Sequence, residues 1–569
     1  MTQPEAVFFT VDHGTATTAA ALFGRLGGRW RLLAAGAVPA GIGVDVLLAD
    51  LAGRARSAEA SLLPDDGSWE GWTRLESSTA PPPPIVLAAA SERSLAVLEP
   101  AFADAGWRIS AHATPDRLDA IAVTEALLAP DLRAVALGAG SADRGALSDL
   151  AALVAAAVAR RNDVRVLLCG EAAVAVTWFP PGLVTQLPGP GDRAAGDGGT
   201  LLEIAERLAG EPWSRPGTQP ESAVRGRAEH RRAVASLATV LDLRLDGIDI
   251  GAAAGARVLA GPAGVERFMV RAEAALVPAP GPDGRDEEQL IDEVVSWSPV
   301  RDDGQTLRDR VRNLRLSPWR DAAGDGARLR LAAARAALVR LDAAWSAESP
   351  EAGAPGAGAP GAGAPGAGAG GPLGAERPAD SVRGANAAPD MLVASGGVFA
   401  VAPPPVVALA LIDAVRRPGA VALVLDHARA LAPLGSLEDE ADRRRLLADL
   451  ADDLLLPLGG AILVGGLRPG RRAQLRVESE GAASETALMP GTVQVVDLPP
   501  GLLGLVEIAA PDDLWVGVRA KRVRFEMAGG LGGLLVDTRG IPLRLPQHPE
   551  RRREALDAWQ RPLWTAVDS

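Results

Sequence analysis

Small polar residues and glycines stand at the ends of three apolar segments, and their types suit the binding of a phosphate. The three sets are Asp12, Gly14, Thr15, Thr17 and Thr18 after the first segment, Asp249 and Gly251 in mid-chain, and Ser395, Gly396 and Gly397 near residue 400. A glycine after a strand lets the backbone approach a phosphate closely, and successive N–H groups there form a site for an anion. Small hydroxyls add donors to the phosphate oxygens. The pattern therefore indicates phosphate-binding turns.

Asp12 and Asp249 add a pair of carboxylates to these turns. Two carboxylates that face each other hold Mg²⁺ mostly through water, because Mg²⁺ gives up its hydration shell reluctantly. We therefore expect Asp12 and Asp249 to face a Mg²⁺ ion, with a nucleotide in a cleft between two related lobes. The sequence identifies no catalytic residue.

The elements that must position these residues are short apolar strands that alternate with helices. In the first half of the chain the strand segments are 81–91, 132–145 and 163–171, the helical segments are 117–128 and 145–161, and residues 7–12 and 29–38 are expected to form a β-hairpin around Gly27-Gly28. Such alternation predicts βαβ units and a parallel or mixed sheet that is covered on both faces. Because Ala, Gly, Pro and Arg abound throughout, Ala-rich stretches carry little weight in this prediction.

The pattern restarts in mid-chain and changes near the end. We expect a strand that runs into Asp249, a long helix over 325–347, a strand into Gly396-Gly397 followed by a helix, and a strand over 419–426. The Pro/Gly/Ala repeat of residues 353–372 has no means of burying a core and reads as a linker. From about residue 456, short strands joined by Gly/Pro turns predict an all-β module that a final helix caps.

The composition excludes several classes of function. The chain has 569 residues, of which 48% are hydrophobic, and its net charge of −13 gives no basic footprint for nucleic acid or anionic membranes. Cys169 is the single cysteine, so disulfides are excluded and a buried structural thiol is expected. Glu5 and Asp12 stand where a signal peptide needs a basic segment and an apolar core. The uncharged window 391–412 is interrupted by glycine and proline and predicts two soluble elements. We expect a cytoplasmic protein without a nucleic-acid or membrane partner.

In their order, the three sets of residues resemble the phosphate-1, phosphate-2 and adenosine motifs of the actin/hexokinase/Hsp70 (ASKHA) ATPase superfamily. Within it the chain is most similar to the MutL/GlmL family, the glutamate mutase L proteins. These are encoded beside coenzyme-B12-dependent carbon-skeleton mutases and are proposed to act as their ATP-dependent chaperones or reactivators. The resemblance spans roughly residues 7 to 440 and is carried by VDHGTATTAAAL, IVLAAASERSL, GIDIGAAAGARV, VVSWSP, VRNLRLSPW, MLVASGGVFA, ALALIDAV and LVLDHARALAPLGSL.

The resemblance implies an α/β fold of the actin-like ATPase type, ribonuclease H-like with two related lobes, followed by a C-terminal all-β module. The implied divisions are lobe I at 1–237, lobe II at 238–350 and 389–450, a low-complexity linker at 351–388, and the β-rich module with its terminal helix at 451–569. ATP and Mg²⁺ are the implied cofactors. Phosphate would be held by Asp12, Gly14, Thr15, Thr17, Thr18, Asp249 and Gly251, with Gly396 and Gly397 near the adenosine and Asp12 and Asp249 facing the metal. A protein partner is implied, with a coenzyme-B12-dependent mutase as the candidate.

The chain departs from the family's motifs on the side that would face the γ-phosphate. Ala16 and Ala19 replace a threonine and a lysine of the first motif. In the second motif Ala252, Ala254, Gly255 and Ala256 stand in place of glycine, two threonines and an aspartate. Methyl groups do not stabilise developing charge, and the loss of one charge-stabilising donor typically lowers a rate by ~10²–10³-fold. We therefore expect at most a weak ATPase.

Two other functions remain open at the level of sequence. A non-catalytic scaffold on a degenerate ATPase fold is favoured by the missing hydroxyls and carboxylate. A small-molecule kinase on the same fold is the weaker alternative, because it needs a catalytic acid near the acceptor hydroxyl and none is identified.

Overall fold

The computed structural model describes residues 6–58, 63, 69, 71–79, 81–117, 120–140, 144–161, 163–189, 199–210, 226–278, 286–317, 322–347 and 389–565. These residues form a mixed α/β structure with four β-sheets. The expected linker at 351–388 lies outside the described residues. None of the described helices has the length and apolar character needed to cross a membrane.

The first sheet is built from the N-terminal residues. It comprises β1 (Val7–His13), β2 (Thr17–Leu26), β3 (Arg29–Pro39) and β4 (Thr73–Ser78), with helix α1 (Val44–Ala58) packed on one face. The strand order is β3-β2-β1-β4, with β1 to β3 antiparallel and β4 parallel to β1. The expectation that residues 7–12 pair with residues 29–38 is therefore wrong. Gly27-Gly28 does form a turn, but it joins β3 to β2, which lies between the two strands that we expected to pair.

The second sheet is a separate, fully parallel one. It comprises β5 (Pro84–Ala89), β6 (Arg108–Ala113), β7 (Ala134–Ala139), β8 (Arg165–Gly170) and β9 (Val184–Leu187), in the order β6-β5-β7-β8-β9. Helices α2 (Glu92–Asp104) and α5 (Leu201–Ala209) cover one face, and α3 (Ala120–Leu128) and α4 (Arg144–Val158) cover the other. The order corresponds to the 2-1-3-4-5 arrangement of doubly wound folds. Cys169 lies buried in β8, and burial raises the pKa of its thiol to about 12, as expected for a structural thiol.

The third sheet begins after helix α6 (Gly226–Leu241). Its first five strands are β10 (Leu245–Ile250), β11 (Gly255–Gly261), β12 (Gly264–Arg271), β13 (Met391–Ser395) and β14 (Gly419–Asp426). They lie in the order β12-β11-β10-β13-β14, with β10 to β12 antiparallel and β13 parallel to β10. Up to β13 this repeats the order and directions of the first sheet. The two sheets are therefore related.

Helices pack on both faces of the third sheet. One face carries α7 (Glu287–Ser296), α8 (Gly304–Leu316), α9 (Gly324–Ala347) and α10 (Pro404–Ala414). The other face carries α6, α11 (Leu431–Gly435) and α12 (Glu440–Leu454), whose apolar side chains share a core with Phe8 and Phe23 of the first sheet. These three helices lie between the two related sheets and fix their relative position. The window 391–412 forms β13, a turn and α10, as the sequence predicts.

The C-terminal strands divide between two sheets. Strands β15 (Leu455–Leu463), β18 (Val493–Val496) and β21 (Leu534–Asp537) extend the third sheet to eight strands. Strands β16 (Ala473–Ser479), β17 (Ala482–Leu488), β19 (Leu503–Val516) and β20 (Val518–Ala528) form the fourth, antiparallel sheet, which shares a core with β15 and β21. The final helix, α13 (Pro549–Thr565), buries Leu556 and Leu563 against the helices of the third sheet, and Trp559 Nε1 donates to the carbonyl of Gly491 between β17 and β18.

Candidate functional site

The two related sheets end at one cavity of about 220 Å³. The turn between β1 and β2 lies on one side of the cavity, and the turn between β10 and β11 lies on the other. The turn after β13 closes a third side. Eight of the predicted site residues line the cavity: Asp12, Gly14, Thr15, Thr17, Asp249, Gly251, Gly396 and Gly397. Three parts of the chain that are far apart in sequence thus meet where the sequence predicts a ligand.

Thr18 is the predicted site residue that the structure does not bring to the cavity. It is buried in β2, opposite His13 in the ladder, and it is not among the lining residues. Neighbouring residues of a strand point to opposite faces, so Thr17 and Thr18 do not both reach the same cavity. Thr17 is the one that does.

The two turns have the same backbone hydrogen bond. The N–H of Gly14 donates to the carbonyl of Thr17 at 3.0 Å, and the N–H of Gly251 donates to the carbonyl of Ala254 at 3.0 Å. The glycine amides are thereby used within the turns. The amides of Thr15 and Ala252, at the turn tips, donate to no group of the described residues. They are available to an anion.

The turn after β13 approaches β10 so closely that glycine is required at position 396. Its φ is +119°, a conformation that residues with a side chain rarely adopt. A Cβ added there would lie 2.3 Å from the carbonyl oxygen of Ile250. Only glycine lets the turn after β13 pass this close to the end of β10, and this contact sets the wall of the cavity.

Arg429 occupies the centre of the cavity wall and bridges the two related sheets. Its Nη2 donates to Oδ2 of Asp12 at 2.6 Å, and its Nη1 donates to Oγ1 of Thr17 at 2.6 Å. A Cβ at Gly14 would lie 3.2 Å from Nη2, and one at Gly397 would lie 3.3 Å from Nη1. The guanidinium therefore sits where the first and third turns meet.

Asp426, at the end of β14, holds the segment that carries Arg429. Its carboxylate accepts hydrogen bonds from the N–H groups of Ala430 and Leu431, each at 3.1 Å. Burial raises the pKa of Asp426 to about 6, although these two hydrogen bonds oppose the shift. Near pH 6, a substantial fraction of the Asp426 carboxyl is therefore protonated.

Asp249 and His230 complete the polar lining. Burial raises the pKa of Asp249, and the charge of Asp12 adds to that shift, while His230 and Arg429 oppose it. His230 is 3% exposed, and its Nε2 has no hydrogen-bond partner among the described residues. A buried polar atom without a partner is costly. His230 lines the cavity, so a ligand there is one group that would satisfy this atom.

Both oxygens of Asp12, one of the two aspartates predicted to face a metal, already accept hydrogen bonds. Oδ2 of Asp12 accepts from Arg429, and Oδ1 accepts from Ser77 Oγ at 3.0 Å. Within the described residues no group of three or more His, Cys, Asp and Glu side chains is placed to hold a metal ion. This donor set does not fit Mg²⁺ in the present arrangement, and the metal role of the two aspartates stays a prediction.

Sequence reasoning missed Arg429, Asp426 and His230. Asp426 ends a strand as Asp12 and Asp249 do, so the same pattern would have found it. Arg429 offers no such signal, because its partner Asp12 lies 417 residues away in sequence. His230 is on α6, where nothing in the local sequence indicates a cavity.

Comparisons with known proteins give low similarity. No protein-family model matches the chain, and no curated protein matches it. It is similar to a solved structure of nucleotide-free acetone carboxylase, from work on ATP-dependent acetone carboxylation, at 10% identity over 85% of this chain and 81% of that one, with a TM-score of 0.29. An exopolyphosphatase from Cytophaga hutchinsonii has 11% identity over 78% and 89%, with a TM-score of 0.19. A PilM–PilN type IV pilus biogenesis complex has 13% identity over 79% and 96%, with a TM-score of 0.21. At these values the likenesses carry no argument about ligand or activity.

Proposed function

We propose that this chain is an actin-like protein that binds a nucleotide in the cleft between two related lobes and hydrolyses it slowly or not at all. The observation that carries the proposal is the convergence of two equivalent turns and Gly396-Gly397 on one cavity. Free amides at the turn tips and the guanidinium of Arg429 suit a phosphate-bearing ligand.

Slow hydrolysis follows from the residues on the side of the second turn. Ala252 and Ala253 line the cavity there and offer only methyl groups beside their backbone. Efficient hydrolysis needs donors or charges aimed at the transferring phosphoryl group and at the attacking water. Asp249 is the polar side chain that this turn brings to the cavity, and a side otherwise lined by methyl groups suits binding better than turnover.

The work of such a protein would be conformational. Arg429 belongs to the second lobe and its partners Asp12 and Thr17 to the first, so a ligand that engages Arg429 changes a contact between lobes. Coupling of lobe closure to a protein partner is the role that the resemblance to glutamate mutase L implies. We propose a chaperone, reactivator or assembly factor, with a coenzyme-B12-dependent mutase as the candidate partner.

Binding is tested by titration of the full chain with ATP, following heat and melting temperature. Ligand at a hundred times its dissociation constant should stabilise the fold by ~2.7 kcal/mol. Thr17→Val removes the hydroxyl at the cavity and should weaken binding severalfold, because a hydroxyl is lost beside Arg429. Thr73→Val, the same change at an exposed position in β4, should bind as the parent does. If both variants bind ATP as tightly as the parent chain does, ATP binds outside this cavity.

The partner role is tested with an inactivated coenzyme-B12-dependent mutase. Addition of the full chain with ATP should restore mutase activity, and Thr17→Val should restore less. Recovery that does not depend on the chain or on ATP would contradict the proposed role while leaving nucleotide binding untouched.

A non-catalytic scaffold is the second candidate, favoured by the size of the cavity. Its volume of about 220 Å³ lies below the ~300–1,000 Å³ typical of ligand pockets. Nucleotide entry therefore requires the lobes to separate. Absence of heat and of any melting shift at millimolar ATP would favour the scaffold.

A further inference from the structure

We infer that the cleft binds its phosphate-bearing ligand without a divalent metal, and that Arg429 supplies the positive charge that a metal would otherwise bring. This inference rests on the proposed nucleotide binding at the same cleft and specifies its chemistry. It makes Arg429 a ligand-binding residue and Asp12 the residue that positions it.

The guanidinium of Arg429 lies where a bound phosphate would be. Arg429 meets Asp12, Thr17 and the two glycines Gly14 and Gly397, where the first and third turns come together. A phosphate held by these turns would touch the guanidinium. Its planar N–H groups match phosphate oxygens, and such charge-assisted hydrogen bonds are among the stronger ones in proteins.

The N–H groups of Arg429 can donate hydrogen bonds to a ligand as well as to the protein. A guanidinium has five N–H donors. Asp12 accepts from Nη2 at 2.6 Å and from Nε at 3.2 Å, while Thr17 accepts from Nη1 through its hydroxyl at 2.6 Å and from Nη2 through its carbonyl at 3.3 Å. One Nη1 donor has no acceptor within the part of the chain that the structure describes, and the 3.3 Å contact is readily exchanged for a phosphate oxygen.

Arg429 and a metal would compete for one carboxylate. Both oxygens of Asp12 are engaged, one by the guanidinium and the other by Ser77 Oγ. A divalent cation at Asp12 would have to displace the guanidinium or stand beside it, and like charges at such a distance repel. The ion pair is also shielded, because Arg429 and Asp12 side chains are 13% and 15% exposed.

The backbone fixes Arg429 in this position. Its φ is +53°, which residues other than glycine seldom adopt, and its N–H donates to the carbonyl of Asp426 at 3.2 Å. The carboxylate of Asp426 caps the next two amides at the start of α11. These hydrogen bonds hold the turn that carries the guanidinium in place, which suits a group that binds a ligand.

His230 gives an independent indication of a ligand in the same cavity. Its Nε2 is buried and has no partner among the described residues, and the residue lines the cavity. A ligand oxygen or ring nitrogen would satisfy it.

The test compares ATP binding to the full chain in EDTA and in excess MgCl₂ by calorimetry. The inference predicts binding in EDTA at least as tight as in MgCl₂, because the metal lowers the negative charge that Arg429 recognises. Binding that requires Mg²⁺ would overturn the inference and leave the proposed function standing. Absence of binding in both buffers would overturn the proposed function itself.

Arg429→Met keeps the length of the side chain and removes its charge. We expect it to weaken ATP binding in EDTA by at least tenfold, with Arg445→Met, at an exposed position of α12, as the matched control. Tighter binding by Arg429→Met, together with a new Mg²⁺ requirement, would show that Arg429 blocks a metal site and would overturn the inference. Melting curves establish that each variant is folded, and the comparison of the two buffers with the parent chain needs no variant.

Discussion

At the scale of single residues, the cleft contains carboxyl groups that differ in their surroundings. Asp12 is paired with Arg429, whereas removal from water raises the pKa values of Asp249 and of the buried Asp426. The strand-end aspartates and the glycines were visible in the sequence, because the geometry of a turn restricts its residue types. The arginine was not, because its role depends on a contact between distant segments.

Gly396 gives a prediction about stability. Gly396→Ala should lower the free energy of unfolding by more than ~2 kcal/mol, because it adds backbone strain and a Cβ 2.3 Å from the Ile250 oxygen. Gly501→Ala is the control, since Gly501 has a φ of +85° but nothing within 4 Å of its Cβ. It should lose only the strain, ~1–2 kcal/mol. Denaturant unfolding measures both, and equal losses would contradict the close approach.

Asp426 gives a prediction about pH. Its pKa is about 6 in the folded chain and ~3.9 in an unfolded one, so the folded state holds the proton more tightly. The stability contributed by the neutral carboxyl is present below pH ~4 and is lost as the pH rises through about 6, by up to ~3 kcal/mol.

The measurement compares unfolding of the parent chain and Asp426→Asn from pH 4 to 7. His230 and Asp12 face this carboxyl in both proteins, so the difference between the two curves reports on Asp426. Relative to the variant, the parent should become less stable as the pH rises. The exposed Asp439→Asn, at the start of α12, should show no such trend. A difference that grows with pH in the parent's favour would contradict the raised pKa.

At the scale of elements, apolar runs bounded by turns were sufficient to predict the strands that end at the cavity and some of the helices, including α9. Their pairing was less predictable, because partners are chosen by contacts far apart in sequence. The strand β2 was missed since its Ala-rich sequence has low β-propensity and the composition made such runs uninformative. The strands β15, β18 and β21 were assigned to a separate module because short strands do not indicate which sheet they join.

The doubly wound sheet offers a test of element packing. Gly138 on β7 lies against α2, where an added Cβ would be 2.1 Å from Cδ1 of Leu98. Gly138→Ala and Leu98→Ala should each destabilise the chain, the latter by ~2–5 kcal/mol through a cavity. The double variant should lose less than the sum, with a coupling of ~0.5–3 kcal/mol. Additive losses in denaturant unfolding would contradict the contact.

At the scale of the whole molecule, buried ion pairs join the C-terminal residues to the helices of the third sheet. Asp413 on α10 accepts from Arg335 of α9 at 2.7 Å and from Arg539, after β21, at 2.6 Å. Arg539 also pairs with Asp537 at 2.7 Å. The contact spans segments that the sequence divides between lobe II and a separate module. The C-terminal strands therefore support the sheet that carries half of the cleft.

Asp413→Asn tests this connection. The variant removes the carboxylate that pairs with the buried guanidinium groups of Arg335 and Arg539. The free energy of unfolding should fall by ~3–5 kcal/mol. Asp309→Asn is the matched control, because Asp309 also pairs with an arginine on a helix but is exposed to solvent, where such pairs contribute ~0.2–1 kcal/mol. Similar melting temperatures for both variants would contradict a structural role for the buried pairs.

The central claim is that turns from two related lobes form one ligand site. Hydrogen exchange measured by mass spectrometry, with and without saturating ATP, tests it most directly. We predict slower exchange at residues 14–17 and at residues 251–254 together, and at Gly396 and Gly397. Unchanged exchange at these residues, or protection of one turn without the other, would contradict a site shared between the lobes.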